Sequence, residues 1–340
     1  MLPTTRELGS YTNRIRATCQ MTWQILAGCL SWDVTRLMEP VFSPFNGAST
    51  RGNWKGGTVL GGFDCVRPRS VDEACRFLSG TSDARVLAGG TDLLVEIRNR
   101  LRSPELLVDI KPIEELAQLQ LDGPQLVVGA SVPLNRLAEY RAVRQSLPAL
   151  ADSALSIGTY QLRNRATLIG NVCNASPAAD SAPILLVCGA ELSVASTDGW
   201  RKVPISALFT GVKRTCLAPG EIVTAIRIPV PEEATRTAFL KQQRIRGHDL
   251  AVVNVAGSYA PASKTLMVSV GSCAPTPVLL EPVDTDGNSL DSLTSHVVEL
   301  AEAATSPISD VRASAEYRRA VLPVLLRRLL DQLLEGGVGS

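Results

Sequence analysis

The 340 residues are 45% hydrophobic, enough for two or three domains with substantial cores. With 34 basic and 33 acidic side chains the formal net charge is +1, so no electrostatic field favours nucleic acid or an anionic membrane. The longest apolar runs are far shorter than a bilayer span, so no transmembrane segment is predicted.

Residues 1–60 show no clear periodicity and are interpreted as a poorly structured N-terminal extension. Arg14 and Arg16 precede an apolar patch at residues 21–30, which is the order of charges and apolar residues in a secretory signal. Polar residues interrupt the patch and no convincing cleavage site follows it. The pattern leaves open whether the extension belongs to the mature protein or lies upstream of its biological start.

A β-α-β module is predicted at the beginning of the ordered part. Residues 70–73 have the pattern of a capping box and predict a helix through Leu78. A strand at residues 85–88, a helix through about Arg100 and a strand at residues 106–110 complete the module.

The rest of the chain continues as mixed strands and helices. Between residues 116 and 232 we predict strands at 125–129, 191–195, 200–203 and 221–228, and helices near 133–140 and 147–156. Beyond Pro231 the sequence pattern changes. Alternation of apolar and polar residues predicts antiparallel strands at 251–256 and 265–271, and amphipathic helices are predicted at 292–304 and 313–334.

A glycine pair follows the strand at residues 85–88. Gly89 and Gly90 lead into Thr91 and Asp92, and then into a helical stretch. One interpretation is a helix-opening turn with Thr91 or Asp92 as the N-cap. The other is a nest of main-chain N–H groups at the positive end of a helix, which suits a phosphate.

A second segment, residues 163–180, is rich in Arg, Thr, Gly, Asn, Ser and Asp and has little apolar periodicity. A loop this polar inside an apolar chain usually faces a ligand or solvent. Two such segments on one chain can hold a pyrophosphate from both sides, and they therefore indicate a dinucleotide cofactor.

Cysteine and histidine usage argues against a metal centre in this chain. The eight cysteines include no C-x-x-C spacing, so neither a zinc nor an iron–sulfur site is predicted, and their scatter fits free thiols in a reducing cytoplasm. The two histidines, His248 and His296, are interpreted as surface or hydrogen-bonded residues.

In this order the segments resemble the FAD-binding medium subunits of the molybdenum hydroxylases, a family that includes the flavoprotein subunits of xanthine, carbon monoxide and nicotinate dehydrogenases. The resemblance covers about Phe63 to about Leu330 and leaves out the extension. Its signatures, in chain order, are Arg67-Pro68-Arg69-Ser70, Ala88-Gly89-Gly90-Thr91-Asp92-Leu93-Leu94, Gln161-Leu162-Arg163-Asn164-Arg165-Ala166-Thr167, Gly170-Asn171, residues 174–180, Gly220-Glu221-Ile222-Val223 and residues 310–319.

The resemblance implies a set of FAD-binding residues. The main chain of the first segment would wrap the pyrophosphate through Leu87, Ala88, Gly89, Gly90, Thr91, Asp92, Leu93 and Leu94. The second loop would hold the nucleotide through Thr167, Gly170 and Asn171, while Asp180 matches an acid that binds the polar chain of the cofactor. Val223 matches an apolar position close to the cofactor. Lys241 matches a lysine near the flavin, where a cation favours the anionic reduced ring.

Simpler roles stay open for several of these residues. Asp180 could be only a helix N-cap, Lys241 a solvated surface charge, and Arg163 and Arg165 surface or subunit-contact residues. Ile169 departs from the family, which often has a small residue before the glycine that follows, and a β-branched residue disfavours positive φ.

The expected fold is α+β. It has two α/β subdomains of the vanillyl-alcohol-oxidase (PCMH) type within residues 61–232, divided near residue 115, and a C-terminal domain of antiparallel strands and helices at 233–340. The resemblance implies an oxidoreductase subunit with FAD that receives electrons from a 2Fe–2S small subunit and passes them to an external acceptor. Substrate chemistry would take place on a molybdopterin large subunit, so no catalytic side chain and no metal ligand are predicted here, and the expected location is the cytoplasm.

The sequence leaves two other functions open. The first is a self-sufficient FAD-dependent oxidase or reductase acting on its own small molecule. The second is an assembly protein that has lost its flavin, against which the intact Gly89, Gly90, Gly170 and Asp180 argue.

Overall fold

The computed structural model describes residues 62–232, 234–245 and 247–335, and the main chain alone of Glu335. The predicted extension at residues 1–60 lies outside the described residues. Within these ranges the chain alternates helices with three larger sheets and one short hairpin, which is an α+β architecture. No helix in the described ranges is long and apolar enough to cross a membrane.

The first sheet is parallel and has the strand order β1-β3-β2. Its strands and helices are β1 (Asp64–Val66), α1 (Val71–Gly80), β2 (Ala84–Leu87), α2 (Leu93–Arg98) and β3 (Leu106–Asp109). The parallel pairing of β2 with β3 confirms the predicted β-α-β module. Ser70 caps α1 by accepting a hydrogen bond from the main-chain N–H of Glu73 at 3.2 Å, also as the sequence predicts.

The second sheet is antiparallel, in the order β4-β5-β10-β6-β7. Its strands are β4 (Leu119–Asp122), β5 (Gln125–Gly129), β6 (Glu191–Ser196), β7 (Gly199–Pro204) and β10 (Ile222–Pro229). A separate short hairpin is formed by β8 (Phe209–Gly211) and β9 (Arg214–Thr215). The central strand β10 buries Ile222, Ile226 and Ile228.

Seven helices in the described chain accompany this sheet: α3 (Leu134–Glu139), α4 (Arg141–Ser146), α5 (Pro148–Leu155), α6 (Tyr160–Arg163), α7 (Leu168–Cys173), α8 (Ser181–Val187) and α9 (Ile205–Leu208). The segment at 163–180, expected to be one polar loop, thus contains a helix of its own. That expectation failed because α6 and α7 are too short for periodicity and are started by Thr159 and Thr167, whose hydroxyls accept from the N–H groups three residues on. Every residue of α8 is buried, so it has no polar face.

The third sheet has the order β11-β12-β13-β14, with β15 also paired to β13. The elements of this region are β11 (Arg236–Gln242), β12 (Val253–Ala260), β13 (Thr265–Gly271), β14 (Val278–Leu279), β15 (Val283–Asp284), α10 (Leu290–Ala304) and α11 (Ala315–Leu330). The antiparallel pairing of β12 and β13 confirms the predicted alternation. The helix predicted at 313–334 is shorter, because Ser314 caps its start and the chain widens into a π-turn at Asp331–Glu335.

The C-terminal sheet also contacts α8, the helix that directly follows the second polar segment at residues 163–180. Helix α8 packs against β12 and β13, and the main-chain N–H of Ser272 donates to the carbonyl of Pro177 at 2.9 Å. A Cβ on Gly271 would lie 3.1 Å from Pro183. This contact brings β11 and β12 next to the second polar segment. The domain limits at 61–232 and 233–340 stay predictions.

Candidate functional site

The glycine pair forms the turn between β2 and α2. Gly90 has a φ of +76°, a left-handed conformation that other residues rarely adopt. Within the described residues, none of the main-chain N–H groups from Gly89 to Leu93 donates a hydrogen bond. Asp92 stands at the N-cap position, but its side chain makes no capping bond, so these five donors are left to solvent or to a ligand.

Gly89 brings the two glycine-bearing segments into direct contact. A Cβ at this position would lie 2.1 Å from the carbonyl oxygen of Arg165 and 3.0 Å from the Cα of Ala166. Only glycine permits this approach of one main chain to another. The first segment therefore lies against the residues immediately before Thr167. Two loops that hold one ligand between them must be in contact in this way.

A partly buried ion pair supports the first loop. Lys111 donates to the carbonyl of Ala88 at 3.1 Å and also contacts the carboxylate of Asp109, which is 5% exposed and lies 3.4 Å from Nε of Arg67. The sequence interpretation missed this support. The signal available was a charged Asp-x-Lys pattern directly at the carboxyl end of a buried strand, where ligand sites of parallel sheets lie.

Thr167 and Gly170 form the start of α7. The hydroxyl of Thr167 accepts from the N–H of Gly170 at 3.0 Å, and Thr167 is buried. Gly170 is helical, and a Cβ there would lie 2.9 Å from that hydroxyl oxygen. Ile169 lies within the helix and does not have positive φ, so its β-branched side chain causes no strain. Because α2 and α7 have six residues each, their macrodipoles are small and the free N–H groups matter more.

Asn171 lies one turn into α7 and faces the start of α8. Its Oδ1 accepts from the hydroxyl of Ser181 at 2.5 Å. Its amide nitrogen donates to no acceptor in the described part of the chain, so it is free to bind a ligand oxygen.

Asp180 and Lys241 form a buried ion pair. The distance from Nζ of Lys241 to Oδ2 of Asp180 is 2.6 Å, and their side chains are 6% and 5% exposed. The interpretation of Lys241 as a solvated surface charge is therefore wrong. Asp180 stands at the N-cap position of α8 without a capping bond, so a simple cap does not explain it either. Burial raises the pKa of Asp180, while Lys241 and then Asn254 act in the opposite direction.

A cavity of about 430 Å³ opens beside this pair. Lys241 and His248 lie in its wall, and His248 is exposed, as a surface histidine would be. Ser156, Tyr160 and Arg163 also line the cavity. The cavity wall carries positive charge but no carboxylate of its own.

Arg163 has a structural explanation. Its Nη1 donates to the carbonyls of Leu155, Ile157 and Gly158, which end α5, and its Nε donates to Asn135 at 2.9 Å. It therefore caps the carboxyl end of a helix and shapes the cavity wall. Arg165 is exposed, and its carbonyl is the atom that contacts Gly89.

Val223 is buried at the start of β10, opposite Val194. It belongs to the core under the second sheet and does not line the cavity. Its expected proximity to a cofactor stays a prediction.

Lys213 links the two loops from the β8–β9 hairpin. Its Nζ donates to Oδ1 of Asn174 at 2.6 Å and lies 3.5 Å from Glu96, while its N–H donates to the carbonyl of Ala175 at 2.9 Å. Glu96 belongs to α2 and Asn174 ends α7, so this lysine connects the helices that follow the two loops. The sequence interpretation missed it, since nothing near residue 213 marks it as special.

Two family profiles match the chain. Residues 61–231 match the profile described as "FAD binding domain in molybdopterin dehydrogenase", and residues 238–333 match "CO dehydrogenase flavoprotein C-terminal domain". The carbon monoxide dehydrogenase medium chain of Afipia carboxidovorans is 33% identical over 81% of this chain and 97% of its own length. This chain belongs to the FAD-binding subunits of the molybdenum hydroxylases.

Other relatives agree with this family. The putative xanthine dehydrogenase FAD-binding subunit of Escherichia coli K12 is 28% identical over 81% of this chain and 97% of its own. A carbon monoxide dehydrogenase structure from Hydrogenophaga pseudoflava superimposes with a TM-score of 0.77 at 29% identity, over 81% of this chain and 98% of the other.

These findings confirm the predicted α+β FAD-binding fold, the oxidoreductase class and FAD as the cofactor. The residues fit that cofactor, because the free N–H groups after β2 suit a pyrophosphate. The relatives are medium chains or subunits, and they belong to multi-subunit enzymes. Within the described residues no cluster of His, Cys, Asp or Glu could hold a metal ion.

Proposed function

We propose that this subunit is an electron relay. It receives electrons from a 2Fe–2S small subunit, holds FAD, and passes the electrons to an external acceptor, while a molybdopterin large subunit oxidises the substrate. The observation that carries the proposal is the contact of Gly89 with the main chain of Arg165, beside five free N–H groups. The contact makes one binding site of two loops that lie far apart in sequence.

The FAD site is assigned residue by residue within this proposal. The main chain of Leu87, Ala88, Gly89, Gly90, Thr91, Asp92, Leu93 and Leu94 would surround the pyrophosphate, and Thr167, Gly170 and Asn171 would hold it from the other side. Lys241 would stand beside the ring, in the cavity that it lines with His248. Val223 would contribute only through the core beneath the site.

FAD supplies the two-electron chemistry when it is bound, and the residues of this chain bind and orient it. Gly89 and Gly90 let the main chain approach the phosphates closely, Thr167 fixes the first turn of α7, and Lys111 holds the carbonyl of Ala88 so that the loop keeps its shape. Electron transfer requires no general acid or base, so we assign no catalytic side chain. The cytoplasmic location is proposed on the sequence argument given above.

Purification tests both parts of this proposal. The protein isolated from its native host should carry about one FAD per chain, released on denaturation. It should copurify with a subunit that contains iron–sulfur clusters and another that contains molybdenum. A chain that is colourless and cannot be reconstituted with FAD would refute the FAD site, whereas a flavoprotein isolated alone would refute only the partners.

One observation favours a second candidate, the self-sufficient flavin oxidase or reductase. His248 lies in the wall of the same cavity as Lys241, where a substrate-side base would have to stand. Anaerobic mixing of the isolated flavoprotein with candidate small substrates distinguishes the two. Bleaching of FAD without any partner, abolished by His248→Ala, would support the second candidate, and the relay predicts no bleaching.

A further inference from the structure

The ion pair of Lys241 and Asp180 joins the second polar segment to the C-terminal sheet. Asp180 directly precedes α8, whereas Lys241 lies on β11, 61 residues further along the chain. Both side chains are almost fully buried, and the Nζ–Oδ2 distance is 2.6 Å. A buried charge of either sign is costly without its partner, so each group requires the other.

Most hydrogen-bonding capacity of this pair is used within the protein. The ammonium group of Lys241 has three N–H donors, of which one binds Asp180 and one binds the carbonyl of Ser156 at 3.1 Å. Lys241 also lines the cavity, so the third donor is available there. Oδ1 of Asp180 accepts from Nδ2 of Asn254 at 3.0 Å, so both carboxylate oxygens already have partners.

Asn254 itself is held in one place. It is fully buried, and a Cβ on Gly271 would lie 2.1 Å from its Oδ1. That oxygen has no hydrogen-bond partner among the described residues. A buried amide oxygen without a hydrogen bond lowers the stability of the fold. The amide nitrogen of Asn254 nevertheless donates to Asp180 and fixes its carboxylate.

We propose that Asp180 is a positioning residue for Lys241, which it orients toward the cavity and whose charge it neutralises. The inference rests on the proposed FAD site, and it revises the role that the family resemblance implies for Asp180, which was direct binding of the cofactor's polar chain. The ring end of FAD then lies beside a neutral pair with one free N–H donor, and not beside an isolated cation.

The proposal makes the reduction potential of FAD respond to the two residues with opposite signs. Asp180→Asn removes the negative partner, leaves a net positive charge beside the ring and stabilises the reduced anionic form, so the potential rises. Lys241→Met leaves the negative partner and lowers the potential. We expect each single change to alter the ratio of reduced-form to oxidised-form binding at least tenfold, which is about 30 mV for a two-electron couple.

The double variant is the sharpest part of the test. Asp180→Asn with Lys241→Met carries no buried charge, so it avoids the folding cost of either single change. Because the native pair is neutral as well, the double variant should keep the ratio of reduced-form to oxidised-form binding within tenfold of wild type, which is a potential within about 30 mV. If Lys241 acted as an unpaired cation, the reduction potential of the double variant would instead fall as far as that of Lys241→Met.

The measurement is equilibration of the purified flavoprotein, in its native complex, with a redox dye of known potential. All variants are compared at one pH, so that Arg163 and His248, which line the same cavity, contribute equally. Thr237→Val is the control, because it changes an uncharged side chain on the same strand as Lys241 whose hydroxyl has no hydrogen-bond partner among the described residues, and it should leave the ratio of reduced-form to oxidised-form binding within tenfold of wild type. Shifts of the same sign in both single variants would overturn the inference. If the purified wild-type protein contained no FAD and could not bind it, the proposed FAD site itself would be refuted.

Discussion

The contact of Gly89 with Arg165 gives the most direct test of the binding site. In Gly89→Ala the new Cβ would lie 2.1 Å from the carbonyl oxygen and 2.7 Å from the carbonyl carbon of Arg165, both of which are main-chain atoms. Relief of that overlap requires a shift of about 1 Å in one of the two loops, because main chain has no alternative rotamer. The five free N–H groups would then no longer converge with the second loop on one ligand.

The magnitude follows from the bonds at risk. Overpacking of this kind costs about 1–3 kcal/mol of unfolding free energy. Loss of two hydrogen bonds to charged phosphate oxygens costs about 3 kcal/mol or more, which weakens FAD binding by at least about 100-fold. The affinity loss should therefore exceed what the loss of stability explains, since the protein without FAD should still unfold cooperatively.

The assay is titration of FAD into the apoprotein, followed by flavin fluorescence, with thermal unfolding of the apoprotein in parallel. Gly80→Ala is the matched control, because a Cβ there meets nothing within 4 Å and the residue does not have positive φ. It should bind FAD like wild type. Wild-type affinity in Gly89→Ala would refute the argument that these two loops form one site.

Three further predictions concern side chains. Lys213→Met should weaken FAD binding about tenfold by unlinking the two loops, whereas Lys264→Met, at an exposed ion pair, should not change it in the same titration. Arg318→Met should lower the unfolding free energy in urea by about 3–5 kcal/mol, because this 2%-exposed arginine binds two main-chain carbonyls and Asp310. Burial by itself raises the pKa of Asp310, but hydrogen bonds from Arg312 outweigh this effect and lower the pKa to about 2. Since the folded pKa is below the unfolded one, its stabilisation of about 2 kcal/mol is present above about pH 4 and is lost as the pH falls toward 2. Urea titrations of Asp310→Asn should show a smaller loss over that range.

The parts of the fold that could be predicted are those determined by neighbouring residues. The β-α-β module follows from an apolar strand, a glycine pair and a capped helix within about forty residues, and each of these signals is local. The two threonine-capped helices α6 and α7 were missed because four to six residues contain fewer than two helical turns, too few for a repeat to show. The ends of α11 were wrong because Ser314 starts the helix two residues later than the apolar pattern does.

The site was predictable only in its main chain. Gly89, Gly90 and Gly170 could be identified because glycine marks conformations and approaches that other residues cannot adopt. The side-chain supports could not, since Lys213 reaches Glu96 across 117 residues and Lys111 reaches Ala88 across 23. A lysine has the same appearance in sequence on a solvated surface and in a buried pair. His248 is exposed, as the sequence predicts, but its position in the cavity wall depends on how the loop after β11 folds back.

These long-range contacts explain why the molecule uses both glycine-bearing segments and not one. The free N–H groups after β2 lead into a six-residue helix, and the capped turn at Thr167 starts another, so neither helix supplies a strong dipole by itself. The Gly89 contact, Lys213 and Lys111 hold these two weak elements at fixed positions, so that their donors add at one ligand. A site assembled in this way depends on positions and not on any single charge. Substitutions that move a loop should therefore weaken FAD binding more than substitutions that remove one donor.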